Sequence, residues 1–212
     1  MQVYFLALLS WRAFACMTLL AGAGLLLAQP TEKQTAPITA TLLPANASNV
    51  SNAADDLRPE LQDLLPQNQL MGKGRLNYWG FPVYDARLWA APGLQPEKLA
   101  TQPFALELAY LRDFSSLAIA ERSIVEMRRS ASISEAQAKT WVAQMLRVIP
   151  DVRKGDRVMG VNRPGLGALF LVNGKPSGEI RDPEFARLFF GIWLSVQTSE
   201  PKLRSALLAG AL

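Results

Sequence analysis

Apolar residues recur at helical spacing most clearly in residues 182–194, whose sequence is DPEFARLFFGIWL. They fall three or four positions apart, and few polar side chains occupy the rest of the helix circumference. They are Phe185, Leu188, Phe189, Ile192 and Trp193. Asp182 can cap the free backbone N–H groups, and Pro183 suits the first helical position. The pattern predicts a helix that begins at Asp182 and is covered on nearly all sides.

Alternation of apolar and polar residues predicts strands in residues 75–89 and 104–111. In the first stretch one face carries Leu76, Tyr78, Tyr84, Ala86 and Leu88. In the second, one face carries Phe104, Leu106, Leu108 and Tyr110, and the other carries Ala105, Glu107 and Ala109. Pro82 has no backbone N–H, so it predicts a bulge or an edge that divides a bent strand in two. Both stretches are typical of half-buried strands.

Two amphipathic helices are predicted between residue 115 and Pro150. Ser115 or Ser116 can cap the first, and Ser132 with Glu135 forms a capping-box pattern for the second. The first apolar stripe consists of Leu117, Ala120, Ile124 and Met127. The second consists of Ala138, Trp141, Met145 and Val148. The two stripes are expected to pack on a common surface.

The remaining chain continues the alternation of strands and helices. Residues 157–163 and 168–172 have strand patterns, and Asn173-Gly174 suits a type I′ turn. A last helix is expected to open at Thr198 or Ser199, with Pro201 in its first turn. Because runs of strands and runs of helices are segregated, the chain is predicted to be α+β, with an antiparallel sheet covered on one face by helices.

An export segment is predicted at the N-terminus. Residues 13–28 are apolar apart from Thr18 and follow Arg12, which is typical of a signal peptide. An uncleaved membrane anchor is the alternative, because the apolar stretch counted from Val3 reaches spanning length. Residues 29–66 are rich in Pro, Thr, Ala and Asn and are expected to form a flexible tether before a domain at residues 67–210. Both alternatives predict a periplasmic location, in the second case tethered to the inner membrane.

Composition excludes several kinds of catalytic site. The 212-residue chain has no histidine, and its one cysteine, Cys16, lies in the apolar leader. It therefore cannot build a Ser-His-Asp triad, a Cys-His pair or a His/Cys zinc site. No metal or cofactor is expected, since no acidic cluster has the spacing of a cation-binding loop. The net charge of +4 is dispersed along the chain, so no nucleic-acid partner is expected.

Six short motifs occur in an order that resembles a known family. They are Gly72-Lys73-Gly74, Pro82-Val83-Tyr84, IAERS at residues 119–123, Gly155-Asp156-Arg157, Asn173-Gly174, and DPEFA at residues 182–186 running into FGIW at residues 190–193. Together they resemble the chalcone isomerase-like family, in its bacterial exported branch, over about two-thirds of the chain. The resemblance implies an open-faced sandwich, with a large antiparallel sheet under a layer of helices and a cleft between them.

The same resemblance implies one of two activities. Some family members close a chalcone into a flavanone, and others are non-catalytic and bind fatty acids in the cleft. The isomerases use a tyrosine, an asparagine, two threonines and an arginine. Alignment places Phe114 or Ser115, Glu121 or Arg122, Trp79 and Ile192 at the first four of these positions, and none of them matches; Arg75 could stand for the arginine. Losing donors that polarise a ketone should remove the isomerase chemistry.

The expected function is therefore binding of a fatty acid or a similar amphipathic small molecule. The candidate ligand-binding residues are Arg75, Tyr78, Tyr84, Tyr110, Arg122, Phe189 and Trp193. Structural roles compete with this prediction: Arg75 can be a solvated strand charge, and Arg122 can pair with Glu126 one helical turn on. Two other functions stay open. One is an isomerase or lyase using Tyr78 or Tyr84 as acid with Arg75 on an oxyanion, and the other is an envelope interaction module without a ligand.

Overall fold

A computed structural model describes residues 58–211, so the predicted leader and most of the predicted tether lie outside the described residues. The chain forms a six-stranded antiparallel sheet whose strands neighbour one another in sequence order. The strands are β1 (Gln69–Tyr78), β2 (Phe81–Ala90), β3 (Phe104–Tyr110), β4 (Arg157–Arg163), β5 (Gly167–Val172) and β6 (Lys175–Ile180). The helices are α1 (Ser116–Met127), α2 (Glu135–Val148), α3 (Pro183–Leu194) and α4 (Pro201–Leu207).

The helices lie on one face of the sheet, as the sequence predicted, and the α+β open-faced sandwich is confirmed. The Asp182 carboxylate accepts hydrogen bonds from the backbone N–H groups of Glu184 and Phe185, both at 3.0 Å, and so caps α3. Ser115 caps α1 through the N–H of Ala118. The expected capping box of α2 is wrong: its N-cap is Ser134, which accepts from the N–H of Gln137.

The β1–β2 hairpin corrects the expectation of a bent strand divided at Pro82. The chain reverses at Trp79-Gly80, where both residues have positive φ, as a type I′ turn requires. Pro82 lies inside β2 opposite Asn77, next to a shift in register between Leu76 and Asn77. The predicted irregularity at the proline is therefore present, but the reversal comes earlier.

The second face of the sheet is covered in its centre, which the strand patterns did not indicate. Residues 58–66, which the sequence placed in the tether, cross this face. Leu61 and Leu65 are fully buried there, packed with Trp89, Ala105, Met159, Val161 and Leu171. β3 is consequently buried on both faces. The expectation that it is half-buried is wrong, because a segment outside the sheet covers the face that carries Ala105, Glu107 and Ala109.

The edges of the sheet also differ from the sequence prediction. The Asn173-Gly174 turn has the expected positive φ angles of 51° and 79° and leads into β6, a strand that the apolar pattern did not indicate. At the other edge, α4 begins at Pro201 and packs on β1. A Cβ on Gly72 would lie 2.1 Å from the Ala206 carbonyl oxygen, so only glycine permits this approach.

Candidate functional site

A layer of aromatic rings packs between α3 and the sheet. It consists of Phe104, Phe170, Phe185, Phe189, Phe190 and Trp193, and we call it the aromatic layer. Phe189 is at its centre, stacked on Phe185 with ring centroids 5.3 Å apart and in edge contact with Phe170, Phe190 and Trp193. These rings lie where the resemblance implied a cleft between the sheet and the helices.

A polar pair closes one end of the aromatic layer. The indole Nε1 of Trp193, on the last turn of α3, donates a hydrogen bond of 2.9 Å to the hydroxyl of Tyr84 on β2. The Tyr84 ring stands edge-on to Tyr110 at 6.0 Å, and Tyr110 contacts Phe114 at 5.7 Å. The structure therefore brings together four predicted site residues: Tyr84, Tyr110, Phe189 and Trp193.

Burial holds both tyrosines in the protonated form. The pKa of Tyr84 is raised above its ordinary value, first because burial disfavours the phenolate and then because the carboxylates of Glu200 and Glu126 lie near. The hydrogen bond from Trp193 and the charge of Arg122 act in the opposite direction. The pKa of Tyr110 is raised by burial and by its neighbour Tyr84. Both hydroxyls are therefore neutral hydrogen-bonding groups at physiological pH.

Charged residues of α1 stand beside this polar pair. Arg122 pairs with Glu126 one helical turn on, with Nη2 and Oε1 2.5 Å apart, as the sequence analysis anticipated. Glu126 is buried, and its other oxygen, Oε2, makes no hydrogen bond in the described part of the chain although Arg129 Nε lies 3.8 Å away. The end of the aromatic layer thus combines neutral donors with a balanced ion pair.

The segment after α3 closes the same end. Thr198 donates a hydrogen bond of 2.6 Å to the carbonyl oxygen of Ile192, and Arg204 donates one of 2.8 Å to that of Leu194. Both bonds satisfy carbonyl groups that the end of a helix leaves free. Arg129, just after the end of α1, donates to the carbonyl oxygen of Gln197 at 3.2 Å. These contacts hold residues 195–200, and with them Glu200, against α1 and α3.

Arg75 and Tyr78 lie apart from this group. Arg75 is on the opposite face of the sheet, where its guanidinium contacts both carboxylate oxygens of Asp85 at 2.6 and 2.9 Å. Tyr78 is exposed at the β1–β2 turn. Because Arg75 and Tyr84 are on different faces, they cannot contact the same substrate atom, and the Tyr84–Arg75 constellation considered for an isomerase is not assembled.

Sequence reasoning did not single out Glu200 or the buried state of Glu126. Glu126 was visible only as the partner of Arg122, and nothing local in the sequence indicates that Glu200 returns to β2. The described residues also form a surface pocket of about 300 Å³ between α2 and β6, lined by residues that include Gln144, Arg147 and Arg181. Within residues 58–211 there is no cluster of metal-ligating side chains and no helix long and apolar enough to cross a membrane.

Comparison with known proteins decides the family. A sequence profile described as chalcone isomerase-like matches residues 60–209, which is more than half of the chain. The chain belongs to the chalcone isomerase-like family. An uncharacterized protein of Haemophilus influenzae is 24% identical over 140 residues, which are 66% of this chain and 67% of that protein.

A solved structure shares the chalcone isomerase-like fold. A fatty-acid binding protein of Arabidopsis thaliana matches with a TM-score of 0.53 at 12% identity, over 69% of this chain and 89% of that chain. At this identity the likeness concerns the fold. It places the sheet and the helices in a shared architecture and assigns no role to a residue of this chain.

Proposed function

We propose that this chalcone isomerase-like protein is a non-catalytic binding protein for a fatty acid or a similar amphipathic small molecule. The observation that carries the proposal is the Tyr84–Trp193 hydrogen bond, a partly buried polar pair at the end of the aromatic layer. Small-molecule sites are typically apolar, with few polar groups that fix orientation. The Arabidopsis relative in fold, named as a fatty-acid binding protein, supports the same ligand class.

The polar end of the ligand would meet Tyr84. The Tyr84 oxygen accepts the indole hydrogen bond, and a phenol can in addition donate one hydrogen bond. The raised pKa of Tyr84 keeps that proton in place. Arg122, whose side chain is 64% exposed, is near enough to influence the tyrosine and supplies a positive charge at the rim. A carboxylic acid or hydroxyl head group suits this combination.

The apolar end of the ligand would enter the aromatic layer. Because the rings of Phe185, Phe189 and Trp193 now contact one another at 5.3 and 5.4 Å, a hydrocarbon chain has to replace some of these contacts. Ligand binding should therefore reorient at least one ring. The near-ultraviolet circular dichroism of the full-length protein should change on saturation with a fatty acid.

We also propose that the protein belongs to the exported branch of its family and acts in a bacterial periplasm. The apolar residues 13–28 after Arg12 support this location. Cell fractionation with the full-length chain tests it, and recovery of the protein in the cytosol would refute it.

Mass spectrometry of the intact protein under native conditions tests the ligand proposal. Protein purified from cells should carry a bound acyl-chain molecule, and the stripped protein should bind fatty acids of graded chain length. Tyr84→Phe and Arg122→Gln should each weaken binding about tenfold, the loss of one hydrogen bond or charge contact. Arg187→Gln, which breaks a comparable helix ion pair with Glu184, is the matched control. A ligand-free protein with no affinity for any acyl chain would refute the proposal.

The contacts between the rings of the aromatic layer favour a second candidate. A domain whose interior is occupied by its own side chains can act as an interaction module in the envelope, with no ligand. In that case the stripped protein keeps its near-ultraviolet spectrum in the presence of every acyl chain tested. Gly160→Ala, whose added methyl group would meet the Phe190 ring, separates the two candidates further.

A further inference from the structure

The β1–β2 turn presents large aromatic side chains to solvent. Trp79 is 84% exposed, Phe81 is 63% exposed and Tyr78 is 46% exposed. Tyr78 and Phe81 are partners across the hairpin, and the rings of Tyr78 and Trp79 lie 6.1 Å apart. We call these three residues the aromatic tip. Single exposed apolar residues are ordinary, but three adjacent exposed aromatic residues mark an interaction surface.

The fold does not require a tryptophan in this turn. The protein contains a second two-residue turn of the same kind, Asn173-Gly174, with φ angles of 51° and 79°; those of Trp79-Gly80 are 52° and 80°. Asn173 is the residue type that tolerates this conformation, and its side chain accepts a hydrogen bond from the N–H of Arg157. Trp79 adopts the same unfavourable φ and remains exposed. Its presence therefore indicates a role outside folding.

The chemistry of the aromatic tip matches the surface of a phospholipid bilayer. Tryptophan and tyrosine concentrate at the membrane–water interface, where the ring enters the apolar boundary and the polar group stays hydrated. The guanidinium of Arg112 lies 5.8 Å from the Phe81 ring centroid. The one acidic residue of this hairpin is Asp85, and Arg75 contacts both of its carboxylate oxygens, so the hairpin offers no unbalanced negative charge to repel anionic head groups.

We propose that the aromatic tip inserts into the interface of a phospholipid bilayer, with Trp79 deepest and Arg112 at the level of the head groups. The rings of Tyr78 and Phe81, on either side of the turn, are then removed from water together, so more apolar surface is buried than one exposed residue could bury. The proposal is independent of the ligand proposed above. It fits the predicted export segment. Whether that segment is a cleaved signal peptide or an uncleaved membrane anchor, it brings the domain to a compartment bounded by bilayers.

Tryptophan fluorescence in vesicles with brominated acyl chains tests this proposal. The full-length chain carrying Trp11→Phe is mixed with vesicles of phosphatidylethanolamine and phosphatidylglycerol, brominated near the head group. Trp89, Trp141 and Trp193 are buried. The difference in quenching between this protein and the one that also carries Trp79→Phe therefore measures the quenching of Trp79. We expect Trp79 to account for most of the quenching.

A matched control places the reporter at the other end of the sheet. Leu166 is 56% exposed and lies in the turn between β4 and β5, opposite the aromatic tip. Leu166→Trp, added to the protein carrying Trp11→Phe and Trp79→Phe, should not be quenched. No quenching of Trp79, or equal quenching at both positions, would overturn the proposal, and the former would indicate that the tip contacts a protein.

The variant Trp79→Asn separates a membrane role from a folding role. Asparagine fits the turn, as it does at residue 173, so the thermal midpoint should rise or stay unchanged. A fall in that midpoint would show that Trp79 serves the fold, and it would overturn the proposal.

Discussion

The two faces of the sheet are buried by different means. The helix-covered face is closed by the aromatic layer and by apolar side chains of α1, α2 and α4. The opposite face is closed in its centre by residues 58–66, and its middle contains a charged side chain, Glu107, that is only 1% exposed. The first face depends on the volume and shape of its side chains. The second depends in addition on particular partners for one carboxylate.

Arginines satisfy both oxygens of Glu107. Arg58 donates from Nη2 to Oε1 at 2.6 Å and from Nε to Oε2 at 2.8 Å, and Arg157 donates from Nη1 to Oε2 at 2.6 Å. Arg87 lies 3.8 Å from Oε1, and Glu60 pairs with Arg157 at 3.3 Å. Arg58 also covers the ring of Trp89. The carboxylate thus joins the segment before β1 to three strands.

Removing this carboxylate should have the largest effect. Glu107→Gln keeps the size of the side chain but removes the carboxylate charge that faces Arg58, whose side chain is 8% exposed, and leaves the half-buried Arg157 with Glu60. Breaking one partner of a buried ion pair costs about 3–5 kcal/mol. Urea unfolding followed by far-ultraviolet circular dichroism measures the change in the free energy of unfolding.

The half-exposed Glu179 provides the control for this prediction. It pairs with Arg163 and Arg181, whose side chains are exposed. Glu179→Gln should cost no more than about 1 kcal/mol. If both substitutions had the same small effect, the two faces of the sheet would not differ in the way their contacts indicate.

Gly160→Ala tests whether the helix-covered face is full. A Cβ at this position would lie 2.9 Å from Cε1 of Phe190. In a filled layer the extra methyl group should destabilise the protein by about 1–3 kcal/mol. In a layer with spare volume the same change should be neutral or stabilising by about 0.4–1 kcal/mol, because alanine restricts the unfolded chain.

The double variant Gly160→Ala with Phe190→Leu identifies the cause. If the clash with the Phe190 ring produces the loss, the smaller leucine should remove most of it, and the double-mutant cycle should show positive coupling. Additive losses would place the strain elsewhere in the layer. A neutral Gly160→Ala would favour a ligand cavity, whereas a costly one favours the interaction module.

The sequence predicted the helix-covered face well and the other face poorly, for a physical reason. Asp182, the apolar stripe of α2 and the parity of Tyr84, Ala86 and Leu88 are local patterns that helical and strand periodicity encode directly. Glu107 has the parity of a solvent-facing residue. Its burial depends on Arg58 and Arg157, which are 49 and 50 positions away in sequence. Alternation shows which face is apolar, but it cannot show that a distant segment covers the polar one.

The candidate site divides in the same way. The apolar character of Phe189 and Trp193 could be predicted from α3 alone. The hydrogen bond between Trp193 and Tyr84 could not be predicted, because it joins residues 109 positions apart. Alternation in residues 75–89 gives Arg75 the parity opposite to Leu76 and Tyr84, so its place on the other face could be predicted, and its pairing with Asp85 agrees with that parity.

Raising the pH should weaken the helix-covered face through Tyr84 and Tyr110. Because the pKa values of Tyr84 and Tyr110 are raised in the folded protein, above the ordinary value near 10 the unfolded chain loses these protons while the folded chain keeps them. The free energy of unfolding should fall with rising pH by up to about 1.4 kcal/mol per pH unit for each tyrosine. Below that pH these groups contribute no pH dependence.

Urea unfolding on both sides of the ordinary tyrosine pKa measures this slope. Tyr84→Phe and Tyr110→Phe should each make the decline shallower, since each variant removes one titrating group. Wild-type slopes in both variants would mean that the two hydroxyls are accessible to water in the folded protein. The pH-dependent decrease in the free energy of unfolding should appear only on the alkaline side of the ordinary tyrosine pKa. The same variants compared near neutral pH therefore serve as the control.

The smallest effect is expected from Asp85→Asn, on the uncovered part of the Glu107 face. The Asp85–Arg75 pair has the same two-point geometry as Arg58 with Glu107, but the Arg75 side chain is 53% exposed. Water screens such a pair, so its loss should cost no more than about 1 kcal/mol in urea unfolding, and less at high salt. A loss as large as that of Glu107→Gln would show that the contribution of Glu107 to stability comes from the pairing geometry and not from its burial under residues 58–66. A small loss would show that burial is the source of the contribution of Glu107 to stability. It would also identify the Arg75 end of this face as surface, where a substitution can be made without disturbing the aromatic layer.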